Sequence, residues 1–197
     1  MIRNYISQKN GMLTLALGLL FTSCSKDDVT PEDENNNTLE VLAVKDLDGN
    51  TKEYAYFSLE QKKEVEESST DWDIRMQGTT ISFGNGASGQ LAEGVFASYN
   101  TAPETGYSNS NIGGSNSYYT YTNANEPQHA VLMKPGTLII VKTGKGKYAK
   151  IEMISYYKGN PSVTTAEFAD IPTRQAKWPV KYYTFNYVLQ PNGSNKF

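Results

Sequence analysis

TLIIVKTGKGKYAKIEMISYY, residues 137–157, decides the fold. Its two halves are rich in β-formers and meet at Gly144-Lys145-Gly146-Lys147, a connection short enough for a hairpin, with two glycines for positive φ angles. The run Leu138-Ile139-Ile140-Val141 is apolar without a break, so this strand is expected to be covered on both faces. In the second half Ala149, Ile151 and Met153 recur at a period of two and share one face. Residues 181–190 (KYYTFNYVLQ) alternate Tyr183, Phe185, Tyr187 and Leu189 with Tyr182, Thr184, Asn186 and Gln190, then stop at the turn signal Pro191-Asn192-Gly193. Together these runs predict an antiparallel sheet in an all-β protein.

Working outward, residues 39–44 (LEVLAV) and 53–59 (EYAYFSL) read as two strands joined as a hairpin through Asp46-Leu47-Asp48-Gly49-Asn50. That connection imitates a calcium loop, but its twelfth position is Phe57, where a bidentate carboxylate is needed. Residues 61–70 are polar and suit a short helix or an exposed loop. Residues 72–76 and 80–83 form two more strands around Gly78, with Trp72, Ile74 and Met76 on one face. Gly84-Asn85-Gly86-Ala87-Ser88-Gly89 satisfies a phosphate-binding glycine pattern, yet no helix or βαβ alternation follows it, so it is set aside. Residues 97–125 are rich in Tyr, Ser, Asn and Gly, a long connection of the kind that carries binding residues. Residues 126–136 contain the only histidine, His129, and lead into the central hairpin; residues 158–180 are irregular, bounded by Pro161, Pro172 and Pro179, with one helical turn near 166–168.

The ends carry an address. Arg3 and Lys9 precede an apolar run over 11–21, too short for a stable membrane span, and Thr22 and Ser23 precede Cys24. This arrangement resembles the bacterial lipobox. Residues 1–23 are expected to be a lipoprotein signal peptide and Cys24 the acylated first residue of the mature chain. Cys24 is also the only cysteine, so an exported domain must hold together by its core without an internal disulfide. Residues 24–37 are acidic and rich in Asn, a disordered tether. Within it Ser25-Lys26-Asp27-Asp28 resembles the acidic signal that sends lipoproteins to the outer cell surface. A single domain is expected over residues 38–197. The formal net charge of −3 gives no reason to expect a nucleic acid partner.

Composition removes most catalytic classes. With one histidine, a Ser-His-Asp site is possible only on His129, and HExxH or Cys/His zinc sites are impossible. A carboxylate pair for glycoside hydrolysis is possible by composition, but no pair stands out. A binding module is expected, and no enzyme.

Three stretches together resemble the HmuY family of haem-binding bacterial surface lipoproteins. They are Tyr56-Phe57-Ser58-Leu59 with Asp71-Trp72-Asp73-Ile74-Arg75; Gly144-Lys145-Gly146-Lys147-Tyr148-Ala149-Lys150-Ile151 running to Tyr156-Tyr157; and Tyr183-Thr184-Phe185-Asn186-Tyr187-Val188-Leu189-Gln190-Pro191-Asn192-Gly193-Ser194. The resemblance implies an antiparallel, hand-shaped β domain with long loops at one end. It also implies haem as cofactor, hand-off to an outer-membrane haem transporter, and a lipid-anchored place on the outer membrane facing the exterior. In that family two side chains hold the iron, histidines in some members and methionines in others. Here a histidine pair is impossible, and His129 and Met133 are the axial-ligand candidates, alternatives to one another. On one helical face they would lie side by side, whereas axial ligands approach from opposite sides. A partner ligand from another segment leaves Met76, Met153 or Tyr107, although both methionines have apolar strand neighbours that suit a core. The rival reading is a surface lipoprotein of the same fold that binds glycan or peptide, with the tyrosines from Tyr99 to Tyr121 as stacking platforms. Cys24→Ala is expected to release the protein from membranes or leave it unprocessed in cell fractionation; unchanged recovery in the membrane fraction would contradict the lipid anchor.

Overall fold

The structure is a computed structural model that describes residues 39–114 and 117–197. The expected signal peptide over residues 1–23, Cys24 and the expected tether over residues 24–37 lie outside the described residues. In chain order the elements are β1 (Leu42–Asp48), β2 (Ala55–Ser58), β3 (Lys63–Glu64), β4 (Ile74–Gln77), β5 (Thr80–Phe83), β6 (Ser88–Glu93), a 3₁₀ turn (Phe96–Ser98), β7 (Tyr119–Tyr121), β8 (Val131–Met133), β9 (Thr137–Lys142), β10 (Tyr148–Tyr157), α1 (Ala166–Ala169), α2 (Ile171–Lys177) and β11 (Val180–Gln190). A five-stranded sheet has the order β1-β11-β10-β9-β6, a four-stranded sheet the order β3-β2-β4-β5, and β7 and β8 pair by themselves. Every paired register between these strands is antiparallel.

The central hairpin is β9 and β10, with Ile139 opposite Ile151 and Val141 opposite Ala149. Leu138, Ile139, Ile140 and Val141 are all fully buried, so both faces of this strand are covered. On the front face Ile139, Val141, Ile151, Phe185 and Tyr187 pack against Phe57, Ile74, Met76 and Ile81 of the four-stranded sheet. Phe57 meets Phe185 edge-on at 5.4 Å, a favoured aromatic geometry. The alternating tyrosines of β11 also bridge the sheets, because the Tyr187 hydroxyl donates to Leu59 O at 3.1 Å and the Tyr183 hydroxyl to Gly78 O at 2.9 Å. Each buried phenol therefore keeps a partner. On the back face Leu138, Ile140, Tyr148 and Val188 are covered by Phe96, Ala102, Tyr99, Tyr107 and Phe197. Lys150 emerges on this face and is buried, its ammonium donating to Phe96 O and Tyr99 O at 2.8 Å each and lying over the rings of Phe96 and Phe197.

Two local readings are corrected. β1 and β2 are not a hairpin: β1 pairs with β11 in the larger sheet and β2 with β3 and β4 in the smaller. Asp46 is a bulge residue with φ of 52° where the β1–β11 register shifts, and its carboxylate accepts the Gly159 N–H at 2.8 Å. Gly144 serves the central hairpin by its lack of a side chain, because a Cβ there would strike Asn85 O; positive φ is needed only at Gly146. The glycine-rich run ending at Gly89 leads into β6, with no helix after it. Phe83 lies against Gly89 where a side chain would otherwise stand.

Asp73, just before β4, is buried and its Oδ2 accepts the Leu59 N–H at 2.8 Å. Burial pushes its carboxyl up from 3.8 to about 6, with the Glu60 charge adding to the rise and the Leu59 hydrogen bond opposing it. A raised carboxyl pKa favours the folded state most at low pH, and that contribution is lost as pH rises from about 4 through 6. Relative to Asp73→Asn, which does not titrate, the parent is expected to lose at most about 3 kcal/mol over that interval. Urea denaturation at a series of pH values checks this, and a difference independent of pH would contradict it.

Candidate functional site

β10 outruns β9: its pairing with β9 ends at Ile151, while the strand continues to Tyr157. Beyond that point the β7–β8 pair and the two short helices gather around its end. The Tyr157 hydroxyl accepts the Val131 N–H at 2.9 Å, and its ring meets Phe168 edge-on at 5.0 Å. Burial pushes the Tyr157 phenol up.

The helices follow from local chemistry. Thr165 caps α1, accepting the Phe168 N–H at 3.2 Å, and Asp170 caps α2, accepting the Thr173 N–H at 2.9 Å. Pro172 lies in the first turn of α2, where a missing N–H costs nothing. These residues carried the signal for α2. Pro172, expected as a boundary of irregular chain, starts this helix instead. Phe168 is fully buried and fixes both helices to the sheet.

His129 sits in the β7–β8 connection with φ of 51°, its N–H donating to Asn123 O at 2.8 Å. Its side chain is exposed and lines a cleft of about 260 Å³ with Tyr157, Arg174, Gln175, Trp178, Pro179 and Val180. Nδ1 lies 3.0 Å from the Tyr121 hydroxyl, and Nε2 has no protein partner among the described residues. Arg174, on α2, reaches back to this loop: its guanidinium donates to Gln128 O at 2.6 Å and His129 O at 3.4 Å, as well as to Phe168 O at 2.9 Å. One buried side chain thus ties helix, loop and histidine together.

Met133 stands on β8 opposite Tyr119, half-buried against the core and absent from the cleft lining. Since β8 begins at Val131, residues 129–133 are not helical, and the two candidates are not neighbours on one helical face. Met76 and Met153 belong to the core. The Tyr107 hydroxyl is occupied by Pro103 O at 2.9 Å, and burial pushes its phenol up. Of the tyrosines from 99 to 121, Tyr118 is buried, Tyr99, Tyr107 and Tyr119 are half-buried, and Tyr121 alone is exposed. No group of three His, Cys, Asp or Glu side chains able to hold a metal ion occurs among the described residues.

The residues fit a haem group from one side. His129, whose Nε2 has no protein partner among the described residues, could offer that nitrogen to the iron of a haem, and Trp178, Pro179, Val180 and Tyr157 would supply an apolar wall. The cleft is smaller than the ~300–1,000 Å³ that encloses a drug-sized ligand, so a porphyrin would remain partly exposed.

No protein-family model matches the chain, and no curated protein matches it. Solved structures do resemble it. An apo HmuY analogue of Tannerella forsythia is 13% identical with a TM-score of 0.49, over 78% of this chain and 96% of that one. A protein of Bacteroides fragilis NCTC 9343 described as a lipoprotein is 12% identical with a TM-score of 0.45, over 79% and 91%. A protein of Bacteroides vulgatus ATCC 8482 described as HmuY-like and haem-binding is 11% identical with a TM-score of 0.46, over 75% and 90%.

Phe168→Ala is expected to cost about 3–5 kcal/mol, the usual cost of truncating a fully buried phenylalanine. Denaturant melts check it, and a loss under 1 kcal/mol would mean that the helical wall is not fixed by this contact.

Proposed function

We propose that the protein is a lipoprotein that binds haem without catalysis, in the cleft at His129, and passes it to an outer-membrane transporter. In this reading lipid on Cys24 holds it at the outer membrane facing the cell exterior. One observation carries the proposal: the only histidine of the chain borders the cleft with Nδ1 engaged by Tyr121 and Nε2 without a partner among the described residues. A hydrogen bond to the second ring nitrogen is the usual device for orienting a ligating imidazole. Met133, packed on the core, is the weaker of the two candidates. The glycan or peptide alternative keeps a single exposed aromatic face, Tyr121, out of the tyrosines that motivated it.

Titration of the purified protein with haemin is expected to give a shifted Soret band that saturates at micromolar concentration. His129→Ala is expected to shift the band again and weaken binding, whereas Met133→Ala leaves the parental spectrum. Absence of binding in both oxidised and reduced conditions would overturn the haem reading and return the glycan or peptide reading. A parental spectrum in His129→Ala would remove His129 as ligand.

A further inference from the structure

Arg174 carries more charge than the structure uses. The residue is 4% exposed, yet every ion pair among the described residues is made by a lysine, and none involves Arg174. Its compensation is three backbone carbonyls and the ring of Phe168, with Cζ 5.1 Å from the ring centroid. Carbonyl dipoles and a π face stabilise a guanidinium but leave its net charge in place. A guanidinium has five N–H donors, so the three contacts seen leave donors over. Arg174 also lines the cleft itself, beside His129 and Trp178. A buried, unneutralised cation at the wall of a half-apolar cleft focuses positive potential there. The planar fork matches a carboxylate in a way a lysine does not.

We propose that this cleft selects ligands carrying a carboxylate on a flat apolar body, with Arg174 as the residue that receives the carboxylate. The assignment rests on the cleft being the ligand site and deepens the haem reading, since the porphyrin of haem is flat and carries two carboxylates. It does not depend on iron. Arg174 holds the His129 loop through backbone carbonyls and the ligand through its remaining donors, so carboxylate binding and the placing of the imidazole share one side chain.

The test uses matched pairs that differ only in charge. With 2-naphthoate and 2-naphthamide, the Trp178 indole N–H and the Arg174 Nε–H signals are followed by NMR in the intact protein. Naphthoate is expected to bind at least tenfold more tightly than the amide and to move both signals. Haemin and its dimethyl ester form the second pair, with the ester expected at least tenfold weaker. Equal affinities within each pair would overturn the proposal, and a normal haemin spectrum would then leave the haem reading standing. A naphthoate preference with no haemin binding would support the proposal while the haem reading falls. Arg174→Met, with native near-ultraviolet circular dichroism, is expected to erase the preference; its persistence in that folded variant would overturn the assignment. Should that variant fail to fold, Lys158→Met with Lys177→Met removes the exposed cations near the cleft. A preference that survives there supports Arg174, and one that disappears overturns it.

Discussion

The structure depends on one constraint: β9 has no face to give to water. Leu138, Ile139, Ile140 and Val141 are buried on both sides, so the five-stranded sheet must be covered twice. Phe57, Ile74, Met76 and Ile81 of the smaller sheet cover its front, and Phe96, Ala102 and Phe197 its back. Removing a Leu or Ile side chain from water contributes about 1.5–3 kcal/mol, so these four neighbours outweigh any single polar contact in the domain. Even the lysine of the back face conforms. Lys150 brings its ammonium to two carbonyls and two rings, and burial lowers its pKa.

The cleft is a consequence of unequal strand lengths. Where β10 and β11 extend past β9, their end needs other cover, and the β7–β8 pair with α1 and α2 provide it. Tyr157 is the common post, paired with Val180, bonded to Val131 and edge-on to Phe168. His129 and Arg174 are 45 positions apart, and this post with the Arg174 carbonyl contacts brings them together. Backbone hydrogen bonds and a buried aromatic fix the walls, and two groups with unused chemistry, the exposed imidazole of His129 and the buried guanidinium of Arg174, line the cleft between them.

Much of the fold was legible because burial imposes simple periods. The unbroken apolar run of β9 and the alternation of Tyr183, Phe185 and Tyr187 announce their own faces. The hairpin expected between β1 and β2 failed because Asp46 to Asn50 carry turn residues, and such residues equally suit a bulge followed by a crossing between sheets. The helix α2 was missed because proline breaks a helix in its interior and starts one in its first turn; only the Asp170 cap two residues earlier tells these apart. His129 could be singled out by composition, but its cleft could not. Arg174 and Trp178 lie within the stretch read as irregular, residues 158–180, and no spacing rule links them to a histidine in another loop.

The central claim is that ligand enters between the His129 loop and α2. Chemical-shift mapping on addition of a diamagnetic gallium porphyrin tests it most directly. Perturbations confined to residues 121–133, Tyr157 and residues 174–180 are expected. Shifts centred instead on residues 99–111, or on the four-stranded sheet, would contradict it.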